Sequence, residues 1–120
     1  MLTSRERRRL EIPHEPGEWI EIRLVSWEKL QQARQARLDG ALDMARRVGM
    51  SLEGIQQTGE RAEAKDSDKY DRGTLLRSAV VAWSYDARVT PDNVADLDEQ
   101  TAGWLVEQIV AYQAEDRTKN

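Results

Sequence analysis

Residues 74–85, TLLRSAVVAWSY, decide the reading of the fold, together with the tail at residues 89–112, VTPDNVADLDEQTAGWLVEQIVAY. At about 100° per residue, a helix over Thr74–Tyr85 places Leu75, Leu76, Ala79, Val80 and Trp83 on one half of its circumference. Val81 and Ala82 fall outside that half. A helix that is apolar on more than one side must be covered from more than one side, so the pattern predicts a central core helix here.

Upstream of this stretch, Leu10 and Ile12, then Ile20, Ile22 and Leu24, alternate with charged residues at period two. Pro16-Gly17 supplies a turn between the two runs, and residues 1–25 read as a β-hairpin arm with one apolar face. A lone two-stranded hairpin is marginal in water, so it must rest on a helix, on a partner or on further strands. Ser26 is a good N-cap and Glu28 suits the first turn of the helix that follows. Trp27, Leu30, Leu38, Ala41, Leu42, Ala45 and Val48 then share one face, and Gly49 stops the helix. Gly40 in mid-helix costs roughly 1 kcal/mol, and Arg34 projects from the apolar stripe, to snorkel past its edge or to meet a carboxylate. Met50–Ile55 reads as a further short helical piece with Ser51 as cap, closing a first helical part at residues 26–55.

Residues 56–69, QQTGERAEAKDSDK, offer a core almost nothing and read as a polar connection. Asp66-Ser67-Asp68 begins like a calcium loop, but the following positions carry Tyr70, Asp71 and Arg77 where that loop needs Asp or Asn, glycine and glutamate. An acidic helix N-terminus accounts for these residues better. The second helical part spans residues 70–116. Within it, Thr90-Pro91 caps and opens a short helix through about Ala95, and Asp98 with Glu99 starts the last helix. On that helix Ala102, Leu105, Val106, Ile109 and Tyr112 form the core stripe, while Trp104 points nearly opposite, under the short helix or toward a partner. The fold class is therefore mainly α (α+β): one domain with an N-terminal β-hairpin on a bundle of about four helices.

With 120 residues the chain can bury a single core. A charged fraction of 33% and the lack of a long apolar run predict a soluble protein with no membrane span, and MLTSRERRRL has no apolar stretch to serve as a signal peptide. Cysteine is absent, which excludes disulfides and thiolate chemistry and fits a reducing cytoplasm. The net charge of −4 hides a cluster of Arg5, Arg7, Arg8 and Arg9, read as a solvated strand edge in preference to a nucleic-acid contact. His14, the one histidine, falls in the hairpin turn and reads as a surface residue with no visible second ligand, so a metal site or histidine-based triad is not expected. Asp96, Asp98 and Glu99 are explained by capping, and no phosphate loop of the G-x-x-x-x-G-K type is present. No catalytic residue, cofactor or metal is assigned, and the expectation is that the chain is not an enzyme.

The opening LEIPHEPGEWIEIRLVSWEKL resembles the start of tail assembly chaperones from long-tailed bacteriophages and prophages. The later block YDRGTLLRSAVVAWSYDARVTPDNVADLDEQTAGWLVEQI is still more similar to them: a segment containing Trp83, then Thr90-Pro91-Asp92-Asn93-Val94-Ala95-Asp96-Leu97, then Trp104-Leu105 to Ile109. The two blocks cover more than half of the chain, and the polar connection departs from the pattern. The resemblance implies a small α-rich protein of the host bacterial cytoplasm. It implies a protein that binds the tape-measure protein, self-associates as a homo-oligomer and takes no small-molecule substrate. Such a protein needs exposed apolar surface in a charged frame. The candidates for a subunit or client contact are Trp19, Ile22, Trp27, Leu30 and Leu38, with Trp104 beside them, and Ile22 and Leu30 fit the domain's own core at least as well. Two other classes fit parts of the chain: a structural tail component such as a connector or completion protein, and a nucleic-acid-binding regulator using Arg5–Arg9, whose binding would weaken steeply with salt.

Overall fold

The computed structural model describes residues 1–49 and 66–118. Strands β1 (Arg7–Glu11) and β2 (Trp19–Arg23) lead into a long helix α1 (Trp27–Val48). A 3-10 turn (Asp66–Lys69), helix α2 (Arg72–Ala79) and strand β3 (Val80–Trp83) follow, then a short helix α3 (Pro91–Ala95) and a last helix α4 (Glu99–Thr118). The architecture is α+β, with the N-terminal hairpin extended by β3 into a three-stranded antiparallel sheet of order β1-β2-β3 against the helices. The helix expected over Met50–Ile55 and the connection up to residue 65 lie outside the described residues.

The single helix expected over Thr74–Tyr85 is not formed. Helix α2 ends at Ala79, where the Val80 N–H closes the last turn on the Leu76 carbonyl and the backbone turns extended (φ −74°, ψ 124°). The Ser78 hydroxyl bonds back to the Thr74 carbonyl, a contact that competes with helix continuation. Val80, Val81 and Trp83 are residues that fit a pleated surface, and the open edge of β2 offers them hydrogen-bond partners. Trp83 lies opposite Ile20 and Val80 opposite Ile22, with a bulge between Glu21 and Ile22. β2 is thus the central strand, and its inward residues Ile20 and Ile22 are both 0% exposed.

The sheet covers a core shared with α2, α3 and α4, in which Leu75, Leu76, Ala79, Val94, Leu105, Val106 and Ile109 are buried. The caps follow the sequence reading. Ser26 accepts from Lys29 N–H, and Gly49 (φ +73°) closes α1 through the Ala45 and Arg46 carbonyls. Asp71 caps α2 through the Thr74 N–H and hydroxyl. Thr90 caps α3 with Pro91 in its first turn, and Asp98 accepts from Thr101 N–H at the start of α4. The Gln113 side chain forms a two-way bridge to Val25, accepting from its N–H (2.6 Å) and donating to its carbonyl (3.3 Å). This bridge fastens α4 to the chain between β2 and α1.

Arg7, Arg8 and Arg9 of the arginine cluster are tied down by carboxylates and rings. On the outer face Arg9 lies over the Trp19 ring (3.8 Å) and donates to Glu21, which also meets Arg7 at 3.8 Å. Arg8 shares the inner face with Leu10, reaches the Tyr112 ring (3.9 Å) and forms a bidentate pair with Glu115 (2.8 and 3.0 Å). The cluster therefore joins the sheet to itself and to α4.

The hairpin loop is fastened by a polar clamp. Glu15 accepts from the Tyr85 hydroxyl (3.1 Å) and from the Thr101 hydroxyl (2.8 Å). Thr101 is 0% exposed and has one hydroxyl proton, already given to Glu15, so His14 Nε2 must donate to its oxygen at 2.7 Å. Beside it Ser84 bonds Glu18 and accepts from Trp19 N–H (2.8 Å). His14 is thus not the surface residue expected of a turn histidine: burial against α4 makes it a donor in a closed network. Burial, together with the Glu15 carboxylate, pushes the Tyr85 phenol up from its ordinary value of 10.0 to about 12.

Two outcomes follow for stability. Gly40 is exposed in mid-helix with nothing within 4 Å of an added Cβ, so Gly40→Ala should raise stability by about 1 kcal/mol in thermal or denaturant unfolding. Because Tyr85 holds its proton more tightly when folded, its contribution is complete below pH 10 and is lost as pH rises toward about 12. The urea midpoint of the parent chain should therefore fall through that window more steeply than that of Tyr85→Phe.

Candidate partner-binding surface

The six residues singled out for a partner contact separate into three environments. Ile22 is fully buried beneath the sheet opposite Val80, so it is a core residue and cannot meet a partner. The inner face of β2 became central once β3 paired with it, and that pairing removes Ile22 from any surface. Trp19 and Trp104 are half-buried and already engaged. The Trp19 ring carries the Arg9 guanidinium, and the edge of Trp104 meets the His14 ring in a T-shaped contact with centroids 6.2 Å apart. The cover for Trp104 thus includes the hairpin turn as well as the packing of α4 against the core.

Trp27, Leu30 and Leu38 lie on α1. Leu30 packs partly against the core, whereas Trp27 is 74% and Leu38 50% exposed. Their exposure has a geometric cause. The seam that docks α1 is centred on Ala33, which is 0% exposed and whose carbonyl accepts from Asp71 N–H (2.9 Å). Arg37 on the same side donates to the Asp68 carbonyl (3.1 Å). Six residues separate Trp27 from Ala33, which turns Trp27 about 120° away from that seam. Trp27 and Leu38, eleven residues apart, differ by only about 20° and stand about 16 Å apart along the axis. Val48, grouped on the same apolar face from the sequence, is 61% exposed, and Met44 is 65% exposed. Arg34 meets neither solvent alone nor a carboxylate: it donates to the Tyr70 hydroxyl (3.1 Å) with its guanidinium 5.3 Å from that ring.

The surface the structure presents is therefore narrower than the sequence suggested: Trp27 and Leu38 outward on α1, with Leu30 at their base. An exposed tryptophan on a helix otherwise rich in charge marks a contact site more often than an isolated apolar residue of smaller area does. Among the described residues no group of three or more His, Cys, Asp or Glu side chains could hold a metal ion. No described helix is long and apolar enough to cross a membrane.

The two classes of candidate should respond differently to truncation. Ile22→Ala should cost about 2–5 kcal/mol through the cavity it leaves. Trp27→Ala should leave the unfolding midpoint nearly unchanged, within about 0.5 kcal/mol. Compared with protein-family models, with curated proteins and with solved structures, the chain matches none of them.

Proposed function

We propose that this chain is a tail assembly chaperone of a long-tailed bacteriophage or prophage. It acts in the host bacterial cytoplasm, binding the tape-measure protein and keeping it from aggregating until tail tube subunits replace it. The observation that carries the reading is the pair Trp27 and Leu38, two large apolar side chains on one face of α1 that the fold leaves outside its own core. A helix of a long helical client laid along α1 would meet both, since their axial separation spans about three turns. Support also comes from the resemblance of residues 70–109 and of the hairpin opening to that family. The segment Thr90–Leu97 supplies the cap, the first-turn proline and the buried Val94 on which α3 depends. In this reading several copies coat one client, so self-association belongs to it. No residue is given a catalytic role.

Co-expression with the longest helical protein encoded beside this chain, followed by co-purification and light-scattering mass, tests the reading. The expected result is a soluble complex holding several copies per client, where the client alone precipitates. Trp27→Ala should reduce recovery of that complex while the variant keeps its fold by circular dichroism. Failure to associate, with this chain instead recovered in mature particles, would replace the reading with that of a structural tail component.

A further inference from the structure

Between α1 and α4, floored by α2, runs a groove of about 210 Å³. Its apolar surface comes from Trp27, Leu30, Tyr70, Leu75, Ile109 and Val110. Arg34, Lys69 and Arg117 also line it, with the amides Gln31 and Gln113, and none of its described lining residues is a carboxylate. That composition runs against the chain as a whole, which carries 22 acids and 18 bases. We infer that this groove is a docking site for an acidic amphipathic helix of a partner protein.

Three physical arguments select that occupant. The volume is below the roughly 300–1,000 Å³ of pockets that enclose drug-sized ligands, so the groove suits anchoring side chains more than a whole small molecule. It lies between two helices, one of them bearing Trp27 at 74% exposure, which is the form in which an amphipathic helix is bound by its apolar face. Trp, Tyr and Arg are the residue types enriched at the energetic centres of protein interfaces, and the groove holds Trp27, Tyr70, Arg34 and Arg117 together. The Arg34–Tyr70 hydrogen bond fixes one cation above the apolar floor, where a carboxylate flanking the partner's apolar stripe would pair with it. Leucine-type anchors would then fill the space over Leu75 and Ile109. The inference stands on the groove's own composition and does not require the tail-assembly reading.

The test uses the full chain and a fluorescein-labelled synthetic helix of about 18 residues, with leucines at i, i+3, i+4 and i+7 and glutamates on both flanks. A second peptide carries lysine in place of every glutamate. Fluorescence anisotropy should show binding of the acidic helix that weakens as salt is raised, and at least about tenfold weaker binding of the lysine helix. The double variant Arg34→Glu, Arg117→Glu should reverse that preference, and Trp27→Ala should weaken both peptides; circular dichroism confirms that each variant is folded. Absence of binding, equal binding of the two peptides, or a preference unchanged in the charge-reversed variant would overturn the proposal. Self-association abolished by the same charge reversals, without peptide binding, would instead assign the groove to a second copy of this chain.

Discussion

A two-stranded hairpin has too little buried area to hold itself together in water, and the pairing of β2 with Val80–Trp83 removes that deficit. Once β3 is in place, Ile20 and Ile22 pass beneath a continuous sheet and are fully buried, and α2 is anchored through the Val80 junction that leads into the strand. α4 then closes the other side with Leu105, Val106 and Ile109. The edge strand β1 is left to the charged residues that native sheets commonly place on exposed edges, here matched by Glu21 and Glu115. Removing β3 from the sheet would expose the apolar face of the hairpin and of α2 at once.

Local signals were legible in the sequence because their physics is local. Ser26, Thr90 with Pro91, Asp98 and Gly49 mark helix ends through hydrogen bonds or backbone angles within a few residues, and each is found in that role. The hairpin was legible from its period of two and from Pro16-Gly17, where Gly17 takes φ +87°. The strand Val80–Trp83 was not, because a short apolar run fits a buried helix and a buried strand equally well, and the edge that decided between them lies some sixty residues earlier. His14 was missed for the same reason, since its partner Thr101 is 87 residues away in the chain. On the candidate surface, Trp27 and Leu38 are both exposed on α1, as their shared helical face allows. The rotation of that face relative to the Ala33 seam depends on contacts with Asp68 and Asp71 that no periodicity displays.

The cations illustrate how little a charge count says about a surface. Arg7, Arg8 and Arg9 form the densest basic run, yet ion pairs with Glu21 and Glu115 and the rings of Trp19 and Tyr112 absorb much of their field. Arg34 and Arg117 are far apart in sequence but meet around one apolar groove, and none of its described lining residues is a carboxylate. Shape and neighbours decide which set a ligand can feel.

The clamp that joins His14 to Thr101 and the ladder that joins Ile20 to Trp83 both close very large loops. Chain entropy must be surrendered before either contact gives any return, whereas the turns of α1 and α4 form from neighbours within nanoseconds to microseconds. The helices and the β1–β2 hairpin can therefore sample their shapes from local contacts, while the third strand has to close a loop of about sixty residues. Until it does, the unpaired edge of β2 is open to any other extended strand, and the speed with which Val80–Trp83 reaches it governs how much of the newly made chain escapes misassociation.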